Sequence, residues 1–223
     1  MPDAAAIAGA ELFAGLAPHL IKELAAAAET RTLGRRELLF AQGDEADHLF
    51  VVEAGRLAVL TAGPDGRESM VAIMEPPDLL GELSLFDGLG RSASARALQR
   101  TTVAAIDYET VRALYDRQPE LLWRVVELVA MRLRRTDAAL ADSVFLDVDA
   151  RTAKRLLDLS RERDRFTLPI TQEELAQLVG ASRERVNKAI QRFVERGWIE
   201  HDSRAYRIVD RPELQRRAAP GTG

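Results

Sequence analysis

The sequence predicts an α+β protein made of three parts in order: a β-roll of the jelly-roll type, a long coiled-coil helix and a winged helix-turn-helix. Three observations predict it. Short apolar runs separated by Gly, Pro and Asp fill residues 31–107. From Leu122 to Leu140 apolar positions then recur with spacings of 4, 3, 4, 3 and 4. Finally, TQEELAQLVGASRERVNKAI at Thr171–Ile190 places two capped helices around a glycine. With 223 residues, 47% of them apolar, the chain can build one large or two small cores.

Taken in order, Ala4 to Thr30 reads as one or two short helices, with Gly15 and Pro18 as a break. Strands are predicted at Leu38–Phe40, Leu49–Val52, Leu57–Leu60, Met70–Met74 and Val103–Ile106. Gly43-Asp44, Gly55, Gly63-Pro64-Asp65-Gly66 and Pro76-Pro77-Asp78 supply the turns. Strands at such regular spacing suit an antiparallel roll that encloses a small ligand. A long helix follows, from Tyr108 or Pro119 to Ser143. Its seam is Leu122, Val126, Val129, Leu133, Thr136 and Leu140, and its outer face carries Arg124, Glu127, Arg134, Arg135 and Asp142. The seam could pack on the roll. A parallel homodimer is favoured, because paired helix-turn-helix units need two-fold symmetry to read a palindrome.

Phe145–Asp149 is the expected hinge, with Asp147 capping a helix over Ala150–Arg161. Phe166–Ile170 reads as a strand. Trp198–Glu200 and Tyr206–Val209 form a hairpin wing around Asp202-Ser203, and the tail from Pro212 is expected to fray. The domain borders follow: 1–107, 108–144, 145–149 and 150–223.

The helix-turn-helix is the most specific local signal. Thr171 with Glu174 three residues on is a capping box. Leu175, Leu178 and Val179 share the buried face, and Gly180 permits the sharp turn. Ser182 caps the second helix, whose buried stripe is Val186, Ala189 and Ile190. Its solvent side offers Arg183, Glu184, Arg185, Asn187 and Lys188, side chains that can reach base edges in a DNA major groove. An ordinary helical hairpin with a charged face would also explain any one of these features. Their coincidence points to double-stranded DNA as a partner.

Charge supports this. From Ala150 onward 16 Lys and Arg face 11 Asp and Glu, a net +5, while the rest carries 15 against 24, a net −9. Composition also excludes several classes. There is no Cys, so no disulfide, thiolate-held iron–sulfur cluster or Cys-type zinc site is possible. His19, His48 and His201 lack metal-ligand spacing, which argues against a metal, a haem and a cupin-like enzyme. No apolar run reaches the roughly 18 residues of a membrane span, and the N-terminus does not read as a secretory signal. No catalytic residue is predicted, and the cytoplasm is the expected location.

The second strong signal is Gly81-Glu82-Leu83-Ser84-Leu85-Phe86 followed by Arg91-Ser92-Ala93. Gly81 and Leu83 can turn successive N–H groups toward an anion. Arg91 offers a guanidinium fork for phosphate and Ser92 a hydroxyl. An ionised Glu82 accepts hydrogen bonds only, which suits a ribose hydroxyl. A tight turn beside a surface arginine is the alternative reading of these residues alone.

In the order β-roll, GELSLF…RS cassette, seam helix, FLDV hinge and SRERVNK helix, the chain resembles the cyclic-AMP receptor protein (CRP/FNR) family over roughly residues 10–210. The resemblance implies a cyclic-nucleotide-binding β-roll with cAMP as allosteric ligand. Glu82 would bind the ribose 2′-hydroxyl. Arg91 and Ser92, with the backbone near Gly81, Leu83 and Ser84, would hold the cyclic phosphate. Arg132 would pair with Glu82, Thr136 would reach the adenine amino group, and Asp137 would reach the base from the other subunit. The family pattern has a neutral residue at position 137. A carboxylate there also suits the donors of guanine, so cGMP is the rival ligand, and a ligand-independent regulator of the same fold is the other alternative. On DNA, Arg183 would take a guanine, Glu184 a cytosine, and Lys188 a guanine or thymine, in TGTGA–N6–TCACA-like sites. Thr171, Ser182 and Arg204 would hold phosphates. RNA polymerase is an expected further partner, with the loop around Arg161–Arg165 as the candidate contact.

Overall fold

A computed structural model of the chain describes residues 1–63, 66, 68–202 and 205–219. Pro64 and Asp65 of one expected turn, Ser203 of another, the wing residue Arg204 and the last four residues lie outside the described residues. Contacts divide the chain into two units, Met1–Leu133 and Arg134–Gly223.

The first unit opens with α1 (Ala4–Gly9), capped by the Asp3 carboxylate accepting from the Ala5 N–H at 2.8 Å. A 3-10 turn, Glu11–Phe13, and α2 (Pro18–Ala27) follow. The expected break falls between the 3-10 turn and α2, with Gly15 at φ 83° and Pro18 on its C-terminal side. Pro18 begins α2, where its missing N–H costs nothing and its fixed φ suits the first helical turn. The strands are β1 (Glu29–Leu33), β2 (Leu38–Phe40), β3 (His48–Ala54), β4 (Leu57–Ala62), β5 (Glu68–Met74), β6 (Leu79–Leu80), β7 (Ser94–Ala97) and β8 (Thr101–Asp107). They form two antiparallel sheets, β1-β8-β3-β6 and β2-β7-β4-β5. The five expected strands are present. β1, β6 and β7 have no counterpart among the expected strands, because they are short or mixed with Arg, Thr and Ser and lack a longer apolar run.

The period of two along β3 explains the layering. Phe50 and Val52 point inward, into a core with Leu57, Ala95 and Ala97 of the opposite sheet. Leu49 and Val51 point outward, into a second core with Ile7, Phe13, Leu20 and Leu24 of the N-terminal helices. One strand is thus buried on both faces, which is why its sequence is a continuous apolar run.

The long helix begins close to the later of its two expected starts, because Tyr108–Arg117 forms a separate helix. α4 (Tyr108–Arg117) is capped by Asp107, whose carboxylate accepts from the Thr110 N–H at 2.7 Å. α5 (Leu122–Phe145) follows a 3-10 turn at Pro119–Leu121. The break has a local cause: a residue before proline avoids the helical region, and Gln118 sits at φ −138°, ψ 72°. α5 buries Val125 and Leu128 in the outer core. Its seam residues Leu122, Val126, Val129, Leu133 and Leu140 stay between 43% and 62% exposed. Within the first unit, Leu122–Leu133 of the seam therefore do not pack on the roll.

In the second unit the expected hinge shrinks. Phe145 ends α5, Asp147 caps α6 (Val148–Ser160), and only Leu146 and Asp147 lie between the helices. The strand expected at Phe166–Ile170 is limited to β9 (Arg165–Thr167). Then come α7 (Gln172–Val179), α8 (Arg183–Glu195), β10 (Ile199–Asp202), β11 (Ala205–Ile208) and α9 (Arg211–Ala218). The sheet order β10-β11-β9 makes the wing. The tail does not fray at Pro212. It forms α9, capped by Asp210 and anchored by a fully buried Leu214.

Phe50 fills the inner core and is 2% exposed. Phe50→Ala is expected to cost about 3–5 kcal/mol in urea unfolding, whereas Leu140→Ala, on the exposed seam, should shift the unfolding of the isolated chain by less than about 0.5 kcal/mol.

Candidate ligand site and nucleic-acid interface

The cassette lies between β6 and β7 of the first unit. Gly81 has φ 85°. A Cβ there would come within 2.5 Å of Arg91 Nη1, so both conformation and space demand glycine. Residues Leu83–Asp87 form the short helix α3, with Glu82 at its N-cap. Glu82 itself is in the right-handed region, so the left-to-right change falls at Gly81-Glu82 rather than at Gly81 and Leu83.

Arg91 is only 5% exposed. Its Nη1 donates to the Gly81 carbonyl at 3.1 Å and to the Tyr108 hydroxyl at 3.0 Å, and its Nη2 donates to the His48 carbonyl at 2.8 Å. The guanidinium carbon sits 4.4 Å from the Phe40 ring centre and 5.4 Å from that of Phe50. Among the described residues Arg91 makes no ion pair with a carboxylate, and its buried Nε has no hydrogen-bond partner. Burying an arginine on neutral acceptors alone is costly, because the cation loses its hydration without gaining a counter-charge.

Glu82 is 1% exposed. Its Oε1 accepts from Arg132 Nη1 of α5, and Arg132 Nη2 donates to the Leu79 carbonyl at 2.7 Å. The Oε2 atom is buried with no partner among the described residues. Burial pushes the Glu82 carboxyl above its ordinary range, and the Arg132 charge only partly offsets this. Ser84 is buried and donates to the Gly90 carbonyl at 3.3 Å, while Leu83 and Ser92 are exposed. The site thus holds an unpaired cation and a carboxylate with a free oxygen, both aligned by the roll. That donor and acceptor set fits an anion carrying a hydroxyl group. Thr136 and Asp137 lie farther along α5, in the second unit, and both are exposed.

The expected capping box is present. Thr171 Oγ1 accepts from the Glu174 N–H at 3.2 Å, and a Glu174 oxygen accepts from the Thr171 N–H at 2.6 Å. Gly180 closes α7 at φ 69° and Ser182 caps α8. Leu175, Val179, Val186, Ala189 and Ile190 are buried as read, and Leu178 is half-buried. Arg183, Glu184, Arg185 and Lys188 are exposed on α8. Lys188 Nζ donates to Glu184 at 2.7 Å, so these two predicted base readers pair with each other, and Lys188 holds the Glu184 carboxyl below its ordinary range.

Several supporting residues escaped the sequence reading. Tyr108, Phe40 and the His48 carbonyl hold Arg91, yet they lie 17 to 51 positions away from it and carry no local signature. Arg151 donates to the Leu146, Val179 and Gly180 carbonyls, at 2.6, 3.0 and 3.4 Å, and ties the interhelix turn to the start of α6. Arg192 of α8 grips Asp149 with both Nε and Nη2, and Arg217 of α9 donates to Asp147 at 2.6 Å.

Two family profiles match: "Cyclic nucleotide-binding domain" over residues 30–118 and "Crp-like helix-turn-helix domain" over 150–217. The "CRP-like cAMP-activated global transcriptional regulator" of Mycobacterium tuberculosis is 38% identical over 219 residues, covering 95% of this chain and 98% of the relative. The chain belongs to the CRP/FNR family. The "cAMP-activated global transcriptional regulator CRP" of Escherichia coli is 34% identical over 171 residues, 74% of this chain and 81% of that one. Among solved structures, the Catabolite Activator Protein of Thermus thermophilus is 31% identical, with a TM-score of 0.55, covering 93% of this chain and 98% of that one. FixK2 of Bradyrhizobium japonicum, at 18% identity and a TM-score of 0.79, covers 87% of this chain and 99% of its own, and shows the shared fold.

As a CRP/FNR member, the chain is a DNA-binding transcriptional regulator with a cyclic-nucleotide-binding domain, and the named relatives are regulators rather than enzymes. Among the described residues no group of His, Cys, Asp or Glu could hold a metal ion, and no helix is long and apolar enough to cross a membrane.

Glu82 supplies a pH test. Its carboxyl titrates above the ordinary value of 4.5, so the ligand-free fold is stabilised by the protonated form. That stabilisation is complete below the unfolded-state pKa and is lost as pH rises through the folded value. The melting temperature of the wild type minus that of Glu82→Gln should therefore fall as pH is raised above 4.5 through the titration of the folded-state carboxyl. A difference that rises over this window would contradict the assignment.

Proposed function

We propose that this protein is a cAMP-responsive regulator that acts as a homodimer on palindromic TGTGA–N6–TCACA-like sites. The observation that carries the reading is the buried Arg91 guanidinium, which makes no carboxylate ion pair among the described residues, beside a buried Glu82 whose Oε2 has no hydrogen-bond partner among them. A cyclic nucleotide would supply a phosphate for the first and a ribose hydroxyl for the second. Arg91 and Ser92, with the Gly81, Leu83 and Ser84 segment, hold the phosphate. Glu82, oriented by Arg132, accepts from the 2′-hydroxyl. Thr136 and Asp137 meet the base. The name of the Mycobacterium tuberculosis relative supports cAMP. Asp137 keeps cGMP as a second reading, because a carboxylate matches the two adjacent N–H donors of guanine.

The exposed α5 seam supports the homodimer, since contiguous apolar residues on a helix face call for a partner. The working parts are then the roll over 1–107, the dimerisation helix over 108–144, the hinge over 145–149 and the DNA-binding part over 150–223. Ligand binding biases the hinge only through unequal affinity for two arrangements of the recognition helices. Arg183, Glu184 and Lys188 read bases, with the Glu184–Lys188 pair opening on contact. Thr171, Ser182 and Arg204 position the backbone. RNA polymerase is a further partner in this reading, and the cytoplasm its location.

The test is fluorescence anisotropy on a TGTGA–N6–TCACA duplex at fixed salt, without nucleotide, with cAMP and with cGMP. Strong enhancement by cAMP is expected. Tight binding indifferent to both nucleotides would defeat the reading. Arg183→Ala should cost about 1–3 kcal/mol on this duplex and leave salt-sensitive binding to random DNA in place. Equal loss on both would remove Arg183 from base reading. Asp137→Ser should shift the ratio of cAMP to cGMP affinity, and an unchanged ratio would remove Asp137 from the base.

A further inference from the structure

We propose that Tyr108 is a positioning residue of the ligand site: its hydroxyl locks the phosphate-side arginine to the peptide that carries the ribose-side glutamate. The inference rests on the cyclic-nucleotide reading of Arg91 and Glu82.

Tyr108 opens α4, at the end of β8, and is 6% exposed. Its hydroxyl accepts from Arg91 Nη1 at 3.0 Å and donates to the Gly81 carbonyl. Arg91 Nη1 donates to that same carbonyl at 3.1 Å. The three groups close a triangle whose corners come from β8–α4, the cassette start and the β7 approach. The Gly81 carbonyl belongs to the peptide that leads directly into Glu82, so one phenol joins both halves of the site.

The triangle uses up one end of the guanidinium. Nη1 serves Tyr108 and Gly81, while the buried Nε keeps an unspent donor. A planar guanidinium fixed at one end presents its remaining N–H groups in one direction, which is what a bidentate phosphate contact requires. Without the phenol, Nη1 keeps the Gly81 carbonyl but loses its second acceptor, and the fork gains freedom to rotate. Burial raises the Tyr108 phenol above its ordinary value, so the hydroxyl stays protonated and can donate and accept at once. Phenylalanine at 108 would keep the ring packing and remove only the link.

The test is calorimetric titration of cAMP and cGMP into wild type, Tyr108→Phe, Arg91→Lys and the double variant, each with a melting curve. Tyr108→Phe is expected to weaken binding of the preferred nucleotide about tenfold. In the Arg91→Lys background the same change should cost less than about twofold, since a lysine cannot occupy the Nη1 corner. Two results would overturn the proposal: an unchanged affinity in Tyr108→Phe, whatever its melting temperature, or an equal loss in both backgrounds. If wild type bound neither nucleotide, the ligand reading would fail and this inference with it.

Discussion

A buried arginine whose hydrogen bonds among the described residues all go to neutral groups is the constraint on which the first unit depends. Removing a guanidinium from water costs several kcal/mol, and hydrogen bonds from a charged donor return about 1.5–3 kcal/mol each. Arg91 finds acceptors in two main-chain carbonyls and one phenol, and π faces in Phe40 and Phe50. These groups come from β2, β3 and the ends of β6 and β8. Gly81 must lack a side chain, β3 must present the His48 carbonyl, and β8 must end where Tyr108 can reach inward. The antiparallel roll is the scaffold that brings these separated positions together. It leaves the cation solvated by protein dipoles but not neutralised, a state suited to receiving an anion.

Arginine does different work in the second unit. There Arg151 spans three main-chain carbonyls at the ends of α5 and α7. Arg192 and Arg217 meet the paired carboxylates Asp147 and Asp149 at the start of α6. The recognition helix, the last helix and the hinge cap are therefore joined by charge-assisted bonds around a two-residue link. If this link acts as the proposed hinge, few dihedrals need change, and these bonds would carry the attached elements with it.

Features set by local chemistry were legible in the sequence. The Thr171–Glu174 box, the Gly180 turn, the Ser182 cap and the Asp147 cap all follow from the side-chain and backbone preferences of those residues. So does the exposed seam, whose spacing encodes a face that the roll does not cover. What depends on distant partners was not legible. Nothing near Tyr108 announces that it will meet Arg91, 17 positions earlier. Nor does the run Leu83–Asp87 declare that it will close into a helical turn instead of an extended loop. The C-terminal helix was missed because its charged sequence looks solvated, and a single buried residue, Leu214, anchors it. Pro119 marks the start of the long helix in the sequence, because the residue before a proline leaves the helical region and separates α4 from α5.

The central claim is that the Arg91 cation is the anion seat of a cyclic-nucleotide site. Calorimetric titration of cAMP into wild type and Arg91→Gln tests it most directly, with folding of the variant checked by its melting curve. Measurable binding to wild type and a loss of at least about a hundredfold in Arg91→Gln are expected, since a buried charge partner is removed while the pocket keeps its shape. Equal affinity in a folded Arg91→Gln protein would contradict it.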